Sequence, residues 1–226
     1  HWYMFNSFVL GITTTVLVLL IASLAGYVFG RLRFPGKGVL MLGILAISYF
    51  PPAAFLIPLF ELFTGNTAIS IGMVTISTPD LFNTPAPMVF PFSALFLPLS
   101  IFILTTFYGQ IPDGLEDAAR VEGTTRLGAL FRVIVPLSAP GVATAGVLTF
   151  ISVYNEYFFS SIMATSPEAS KWSPIVGGIL SYQTQYTTQY NLMAAASVVG
   201  VIPVVVLVII AQERIVSGLT AGALKE

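Results

Sequence analysis

The stretch Ser7–Gly30 reads SFVLGITTTVLVLLIASLAGYVFG and contains no charged residue. A helix needs about 20 consecutive apolar residues to cross the hydrocarbon core of a bilayer, so this segment is long enough. The same character extends along the chain, because 56% of the 226 residues are hydrophobic and 8% are charged. A soluble domain has roughly 25% charged residues. The sequence therefore predicts a membrane protein, since so few charges cannot cover a surface in water.

The composition also excludes several kinds of site. The chain has no Cys, and its single His is His1, so we predict no disulfide, no metal site and no His-based catalytic pair. A net charge of −1 gives no indication of a nucleic-acid partner. No Walker-type Gly-x-x-x-x-Gly-Lys-Ser/Thr stretch occurs, and we predict neither catalytic residues nor a bound cofactor in this chain.

Five apolar stretches are long enough to cross a membrane. We therefore predict an all-α, polytopic transmembrane helical bundle that forms a single domain over residues 1–226. An odd number of spans is unusual for a whole protein, so we expect one further span before His1. The five predicted spans are Ser7–Gly30, Gly38–Phe63, Ala86–Gln110, Gly141–Met163 and Asn191–Gln212.

The basic residues predict the orientation of these spans. Cytoplasmic loops hold the excess of Lys and Arg, and eight of the nine basic residues lie on one side if the spans alternate. We therefore predict that the loop 111–140 and the C-terminus are cytoplasmic, and that the loops 64–85 and 164–190 are external with the lone Lys171. The eight residues are Arg31, Arg33, Lys37, Arg120, Arg126, Arg132, Arg214 and Lys225.

The segment Asp113–Gly141, DGLEDAARVEGTTRLGALFRVIVPLSAPG, predicts two short amphipathic helices at a sharp turn. Gly123 suits the end of the first helix, and Thr124 or Thr125 can cap the second. Pro136 and Pro140 are expected to break the second helix before the fourth span. By composition, a solvated linker, a contact with lipid headgroups and a docking surface for a partner all remain open. The apolar residues at helical spacing are Leu127, Leu130, Phe131 and Ile134.

The spacing in this loop resembles the EAA motif of permease subunits of binding-protein-dependent ABC importers. That motif is an acidic-Ala-Ala unit, three residues, Gly, nine residues and Ile-x-Leu-Pro. The departures are mild: Asp117 stands where Glu is usual, beside Glu116, and two valines replace Ile and Leu. The matching positions are Asp117, Ala118, Ala119, Gly123, Val133, Ile134, Val135 and Pro136.

Three other stretches resemble the maltose-type sugar permeases of the G-subunit kind. These are Asn6-Ser7 before the first span, Tyr154–Tyr157 with its aromatic-Asn-Glu-aromatic order, and the tail Gly218–Lys225. The resemblance implies a type I permease-like bundle that forms half of the translocation pathway for a di- or oligosaccharide. It further implies a multi-pass protein of a bacterial or archaeal cytoplasmic membrane.

The resemblance also implies partners. A second permease subunit would complete a heterodimer, two ATP-binding subunits would hold ATP and Mg, and an extracytoplasmic binding protein would deliver the substrate. The loop 111–140 would then be the element that couples the permease to the ATP-binding subunits. The coupling residues implied by the motif are Glu116, Asp117, Ala118, Ala119, Gly123, Arg126 and Pro136.

Two outer segments supply candidate binding residues. Glu156 is a carboxylate within a predicted span, which marks a cavity or an internal pair. Asn155 and Glu156 could therefore hydrogen-bond to sugar hydroxyls. Tyr154 and Tyr157 could stack on a sugar face. The alternative is that Glu156 bonds to a neighbouring helix near the outer interface. In the external loop 164–190, the resemblance implies binding-protein contacts, and the alternative is an interfacial aromatic belt. The contact candidates are Trp172, Tyr182, Gln183 and Gln185.

Two further functions stay open. The same machine could carry a polyol phosphate, an amino acid or a peptide, which the EAA-like loop does not discriminate. An autonomous secondary transporter would show inverted repeats and ionisable residues at the membrane midplane. The sequence shows no such repeat.

Overall fold

Helices dominate the molecule, which confirms the predicted fold class. The structure is a computed structural model that describes residues 1–71, 74–164 and 168–223. The longest helices are α1 (Trp2–Arg31), α4 (Ala86–Tyr108), α8 (Ala139–Tyr154) and α11 (Tyr190–Ala223). The shorter helices are α2 (Lys37–Ile47), α3 (Ala53–Phe63), α5 (Asp113–Val121), α6 (Arg126–Ala129), α7 (Val135–Leu137), α9 (Ser160–Met163) and α10 (Ile175–Leu180).

Three of the described helices are long and apolar enough to cross a membrane by themselves. They are α1, α4 and the Tyr190–Gln212 part of α11. A fourth candidate is the pair Arg126–Leu137 and Ala139–Tyr154, which is bent by 84°. The first, third and fifth predicted spans thus correspond to long helices, and the fourth begins at a bend.

The second predicted span, Gly38–Phe63, is divided into α2 and α3, of 11 residues each. The break lies at Pro51-Pro52, where Pro52 is the N-cap of α3. Proline has no backbone N–H to donate and its ring clashes with the preceding turn, so two in succession end a helix. The fourth predicted span is likewise shorter as a helix, because α8 ends at Tyr154 and α9 begins at Ser160.

The predicted external loop 64–85 contains a short β-hairpin that sequence analysis missed. Its strands are β1 (Ala68–Ile71) and β2 (Val74–Ser77), paired antiparallel with Ala68 opposite Ser77. The strands are rich in Ile, Val and Thr, the residue types that favour extended structure.

The chain folds into two compact units, each built from separate stretches. Unit 1 comprises residues 1–14, 50–93 and 150–205, and unit 2 comprises residues 15–49, 94–149 and 206–226. In unit 2, the core is formed by apolar side chains of α1, α4, α8 and the segment 130–134. Its buried members are Ala22, Tyr27, Phe29, Ile101, Leu104, Tyr108, Leu130, Ile134 and Ala145.

Two glycines one turn apart let α1 approach α4 closely within unit 2. A Cβ added at Gly26 would lie 2.9 Å from the Leu104 Cβ, and one added at Gly30 would lie 3.0 Å from the Thr105 carbonyl oxygen. Small residues four apart are the usual means of close helix packing in membranes, where apolar burial adds little between helices. The contact therefore depends on the absence of side chains at these two positions.

We expect Gly26→Val to destabilise the protein, because the added methyl groups meet the α4 backbone rather than open space. Overpacking of this kind costs about 1–3 kcal/mol. The matched control is Gly43→Val in α2, where an added Cβ meets nothing within 4 Å. Thermal unfolding of the purified protein in detergent should show a lower midpoint for Gly26→Val than for Gly43→Val, and equal midpoints would contradict the packing argument.

Candidate functional site

The turn between α5 and α6 has the geometry that the sequence predicted. Gly123 has φ of +92°, a left-handed conformation that a residue without Cβ adopts without strain. The Thr124 N–H donates to the Ala119 carbonyl at 3.0 Å, and the Gly123 N–H donates to the Arg120 carbonyl at 3.0 Å. These two bonds form a Schellman motif, which satisfies the carbonyls at the end of α5.

The second helix begins at a side-chain cap and ends at a bend. Thr125 is the N-cap of α6, and its hydroxyl accepts from the Gly128 N–H at 3.1 Å. After α6 the chain forms a π-helical turn over Leu130–Ile134. This wider turn precedes Pro136, which cannot donate to the helix ladder. The helical path continues to Leu137 and then bends into α8.

The predicted coupling residues differ in burial, so they do not form one surface. Glu116 is buried, Ala119 is half-buried, and the rest are exposed. The Arg120 guanidinium lies 3.9 Å from the Asp117 carboxylate, a long and exposed pair that contributes little to stability. The exposed coupling candidates are Asp117, Ala118, Gly123, Arg126 and Pro136.

The apolar stripe on the second helix is only partly buried, which corrects the expectation of one apolar face. Leu130 and Ile134 are fully buried, whereas Leu127 is 58% exposed and Phe131 is 46% exposed. Each pair is four residues apart, so the stripe is wider than the face that packs inward. Sequence analysis also missed Val121, which is 88% exposed at the end of α5. The surface of α5 and the second helix therefore presents apolar side chains beside charged ones.

Arg31 is a functional candidate that sequence analysis used only to predict orientation. It is the last residue of α1, and its side chain is 4% exposed. Its Nε donates to the Glu116 Oε2 at 2.9 Å, and its Nη2 lies 3.0 Å from the Asp113 Oδ1. One guanidinium thus joins the end of α1 to two carboxylates in the first turn of α5.

The surroundings of Glu116 keep its carboxylate charged. Burial acts to raise its pKa, but the hydrogen bonds from Tyr27 and Arg31 and the charges of Arg31 and Arg120 together outweigh burial. The pKa of Glu116 therefore lies below its ordinary value. A buried carboxylate remains ionised only when it is paired and hydrogen-bonded in this way.

In unit 1, Tyr154 is part of the packed interior. It is 1% exposed, its ring contacts Phe8 and Phe150, and its hydroxyl donates to the Gly200 carbonyl at 3.0 Å. The predicted stacking of Tyr154 on a sugar does not fit this geometry, because neighbouring rings and a helix backbone already contact its side chain. Asn155 is exposed, and its amide donates to the Ile151 carbonyl.

Glu156 lies just beyond the end of α8, in the turn before α9, and not within a helix. Its Oε1 accepts from the Phe159 N–H at 2.9 Å, so the carboxylate holds the turn together. Its other oxygen, Oε2, is buried without a hydrogen-bond partner among the described residues. Tyr157 is half-buried in the same turn.

The loop 164–190, which the sequence predicts to be external, presents polar residues on a tight turn. Gln183 pairs with Thr188 in an isolated antiparallel bridge, and the Thr184 N–H donates to the Thr187 carbonyl at 2.9 Å. Gln183, Gln185 and Tyr182 are exposed, whereas Trp172 is half-buried with φ of +65°. Residues 165–167 of this loop lie outside the described residues.

Asn6 and Ser7 attach the beginning of α1 to this loop, a role that the sequence did not indicate. The Asn6 Nδ2 donates to the carbonyls of Ala169 at 2.7 Å and Ser173 at 2.9 Å. The Ser7 hydroxyl accepts from the Ile175 N–H at 2.9 Å and donates to the Tyr154 carbonyl at 3.2 Å. Both side chains are buried, so these bonds form away from water, where an unmade bond is costly.

Within residues 1–71, 74–164 and 168–223, no group of three or more His, Asp or Glu side chains is placed to hold a metal ion. The resembling tail, Gly218–Lys225, extends past that range, because Leu224 and Lys225 lie outside the described residues.

A family model described as "Binding-protein-dependent transport system inner membrane component" matches residues 21–220. The chain belongs to this family. It is a multi-pass inner-membrane permease subunit of an ABC importer. The matched region contains the whole of the segments 111–140 and 164–190. The autonomous secondary transporter is thereby excluded as the class of this permease.

Curated relatives match the permease over almost its whole length. The sulfoquinovosyl glycerol transport system permease protein SmoH of Agrobacterium fabrum is 39% identical over 225 residues, which cover 100% of this chain and 73% of the relative. The trehalose transport system permease protein SugB of Mycobacterium tuberculosis is 36% identical, covering 97% and 75%. The trehalose/maltose transport system permease protein MalG of Thermococcus litoralis is 34% identical, covering 99% and 75%.

Solved structures share the fold. A bacterial ABC transporter involved in the import of the acidic polysaccharide alginate gives a TM-score of 0.72 at 19% identity, covering 94% of this chain and 74% of that chain. The MetNI methionine ABC transporter in an inward-facing form gives 0.60 at 19% identity, covering 96% and 93%. At these identities the likeness shows the architecture alone.

We expect Asn6→Ala to loosen the loop 164–190 of the permease, because it removes the side-chain donor that the Ala169 and Ser173 carbonyls share. Hydrogen exchange over residues 168–175 should become faster, while exchange over α5 stays unchanged. Asn155→Ala is the control, since the Asn155 amide bonds only locally to Ile151, four residues before it. Unchanged exchange over 168–175 in Asn6→Ala would show that these bonds do not hold the loop.

Proposed function

We propose that this permease forms half of the translocation pathway of a carbohydrate importer, and that the segment 111–140 couples it to an ATP-hydrolysing partner. The substrate class rests on the relatives, whose names specify sulfoquinovosyl glycerol, trehalose and trehalose/maltose. These relatives share 34–39% identity with the chain over nearly its full length. The substrate is thus a glycoside or an oligosaccharide.

The observation that carries the coupling role is the outer face of the α5–α6 turn. We define this docking face by Asp117, Ala118, Val121, Gly123 and Leu127, all of which are exposed. Single exposed apolar residues are ordinary, but a cluster rimmed by charge is typical of a surface that a partner covers. The small Ala118 and Gly123 leave room for a partner backbone to approach.

The partner that fits this face is a separate ATP-binding subunit. The chain has no Walker-type phosphate loop, so ATP and Mg would be bound and used by that subunit. Two such subunits, a second permease subunit in a heterodimer and an extracytoplasmic binding protein would complete the assembly. In support, one solved neighbour is an alginate ABC transporter in complex with a periplasmic protein that holds an alginate pentasaccharide.

The proposed orientation places the docking face and the C-terminus in the cytoplasm. Arg31 and Arg120 lie in this region, and the positive-inside rule supports their placement there. The external loop, with exposed Tyr182, Gln183 and Gln185, would then meet the binding protein. Aromatic rings and amides suit contact with a sugar-loaded protein surface, because they combine apolar area with hydrogen bonding.

The test is Val121→Asp in the complex expressed with its partner subunits. A charge on an apolar position of the docking face would be buried against the partner without compensation, so the ATP-binding subunit should no longer co-purify. Val121→Thr is the control, because it keeps the shape without adding charge, and it should retain the subunit. If Val121→Asp co-purifies at wild-type stoichiometry and hydrolyses ATP normally, the docking face has been assigned to the wrong surface.

A further inference from the structure

The helix α5 packs against the rest of the protein through a charged side chain. Of its nine residues, all of which the structure describes, Glu116 is the one that is buried. The apolar residues of α5 point elsewhere, since Leu115 is 46% exposed and Val121 is 88% exposed. A helix on a protein surface normally buries an apolar stripe. In α5 a charged side chain takes that place.

Both oxygens of the Glu116 carboxylate are held by one face of α1. The Tyr27 hydroxyl donates to Oε1, and the Arg31 Nε donates to Oε2 at 2.9 Å. Tyr27 and Arg31 are four residues apart on α1, so they project from the same side of the helix. Tyr27 is itself 5% exposed and belongs to the core of unit 2.

The Arg31 guanidinium also holds the chain that leads into α5. Its Nη1 donates to the carbonyls of Ile111 and of Tyr108, the last residue of α4. Its Nη2 pairs with Asp113 at 3.0 Å. A planar guanidinium with five donors can reach a carboxylate and a carbonyl at once, whereas a lysine ammonium cannot reproduce this fork. The end of α4, the start of α5 and the end of α1 therefore share one buried cation.

The ion pair between Arg31 and Glu116 is a weak source of stability, because desolvation of a buried ion pair offsets most of its attraction. It fixes position strongly, since the N–H groups of a planar guanidinium point in fixed directions toward their acceptors. The buried cluster thus determines where α5 lies relative to α1 more than it determines whether the chain folds.

We propose that Arg31 is a positioning residue that transmits movement of the docking face to the transmembrane helix α1, through Glu116, Asp113 and Tyr27. The inference rests on the proposed coupling function and deepens it. The docking face and the buried Glu116 lie on different sides of α5, whereas the Asp113 side chain is 74% exposed. The docking face would meet the ATP-binding subunit, and Glu116 connects α5 to a membrane-spanning helix. Glu116 is therefore an internal link and not a contact with the partner.

The test uses Arg31→Met, with Glu116→Gln as the milder, isosteric variant, in the reconstituted complex. Neither variant changes a residue of the docking face, so the ATP-binding subunit should co-purify at wild-type stoichiometry. Stimulation of ATP hydrolysis by the sugar-loaded binding protein should fall roughly tenfold, within the range usual for coupling between two sites. Arg33→Met, an exposed arginine two residues away, is the matched control and should behave as wild type.

A rescue experiment separates transmission from folding. The chain has no Cys, so Tyr27→Cys combined with Glu116→Cys gives the chain only these two thiols. A short bifunctional thiol reagent that joins them should restore stimulation without restoring the charges, and either single Cys variant should not respond to the reagent.

The outcomes distinguish this inference from the proposed function. If wild-type protein binds no ATP-binding subunit, the proposed function fails. If wild type is stimulated normally, the inference is overturned by undiminished stimulation in Arg31→Met and Glu116→Gln, by loss of the ATP-binding subunit in both, or by a cross-link that restores nothing.

Discussion

The position of the segment 111–140 in this permease depends on one buried cation, the guanidinium of Arg31. A carboxylate as buried as that of Glu116 requires a charged partner, since an uncompensated ion in the protein interior would protonate or unfold its surroundings. Arg31 supplies that charge, and the pKa of Glu116 falls below its ordinary value. Without this pair, α5 would have no buried side chain to fix its position against α1, because Leu115 and Val121 are exposed and Ala119 is only half-buried.

Because of this constraint, one side of the segment 111–140 is attached to the protein and the other side is exposed. Since α5 is attached through its charged side, its small and apolar residues remain free to form a surface. The Schellman motif at Gly123 then sets the angle at which α6 leaves α5, and the buried Leu130 and Ile134 attach the second helix to the core. The proposed docking and the observed attachment thus involve different residues of the same short helices.

Features that depend on short stretches of sequence were predicted, whereas contacts between residues far apart in sequence were not. The lengths of the apolar stretches predicted the fold class. Gly123 predicted a turn, because the left-handed conformation at a helix end favours glycine. Arg31 and Glu116 are 85 residues apart in sequence, and no periodicity reports that such residues meet. Glu116 and its exposed neighbour Asp117 looked equivalent in sequence, yet one faces inward and the other outward.

The outer candidates show the same limit. Tyr154 was predicted from its residue type to contact sugar, but its hydroxyl and ring are used in packing. Asn6, to which the resemblance assigned no role, binds two backbone carbonyls of the loop 164–190. Residue type indicated that these positions matter, but their burial and partners come only from the folded chain.

The central claim is that α5 and α1 move together when the partner subunits bind ATP. Double electron–electron resonance between spin labels at Leu24→Cys on α1 and Arg120→Cys on α5 tests it directly, in a complex whose other subunits lack accessible thiols. We predict the same inter-label distance in the nucleotide-free and ATP-bound complexes. A shift in that distance on ATP binding would show that α5 moves independently of α1, and would contradict the account.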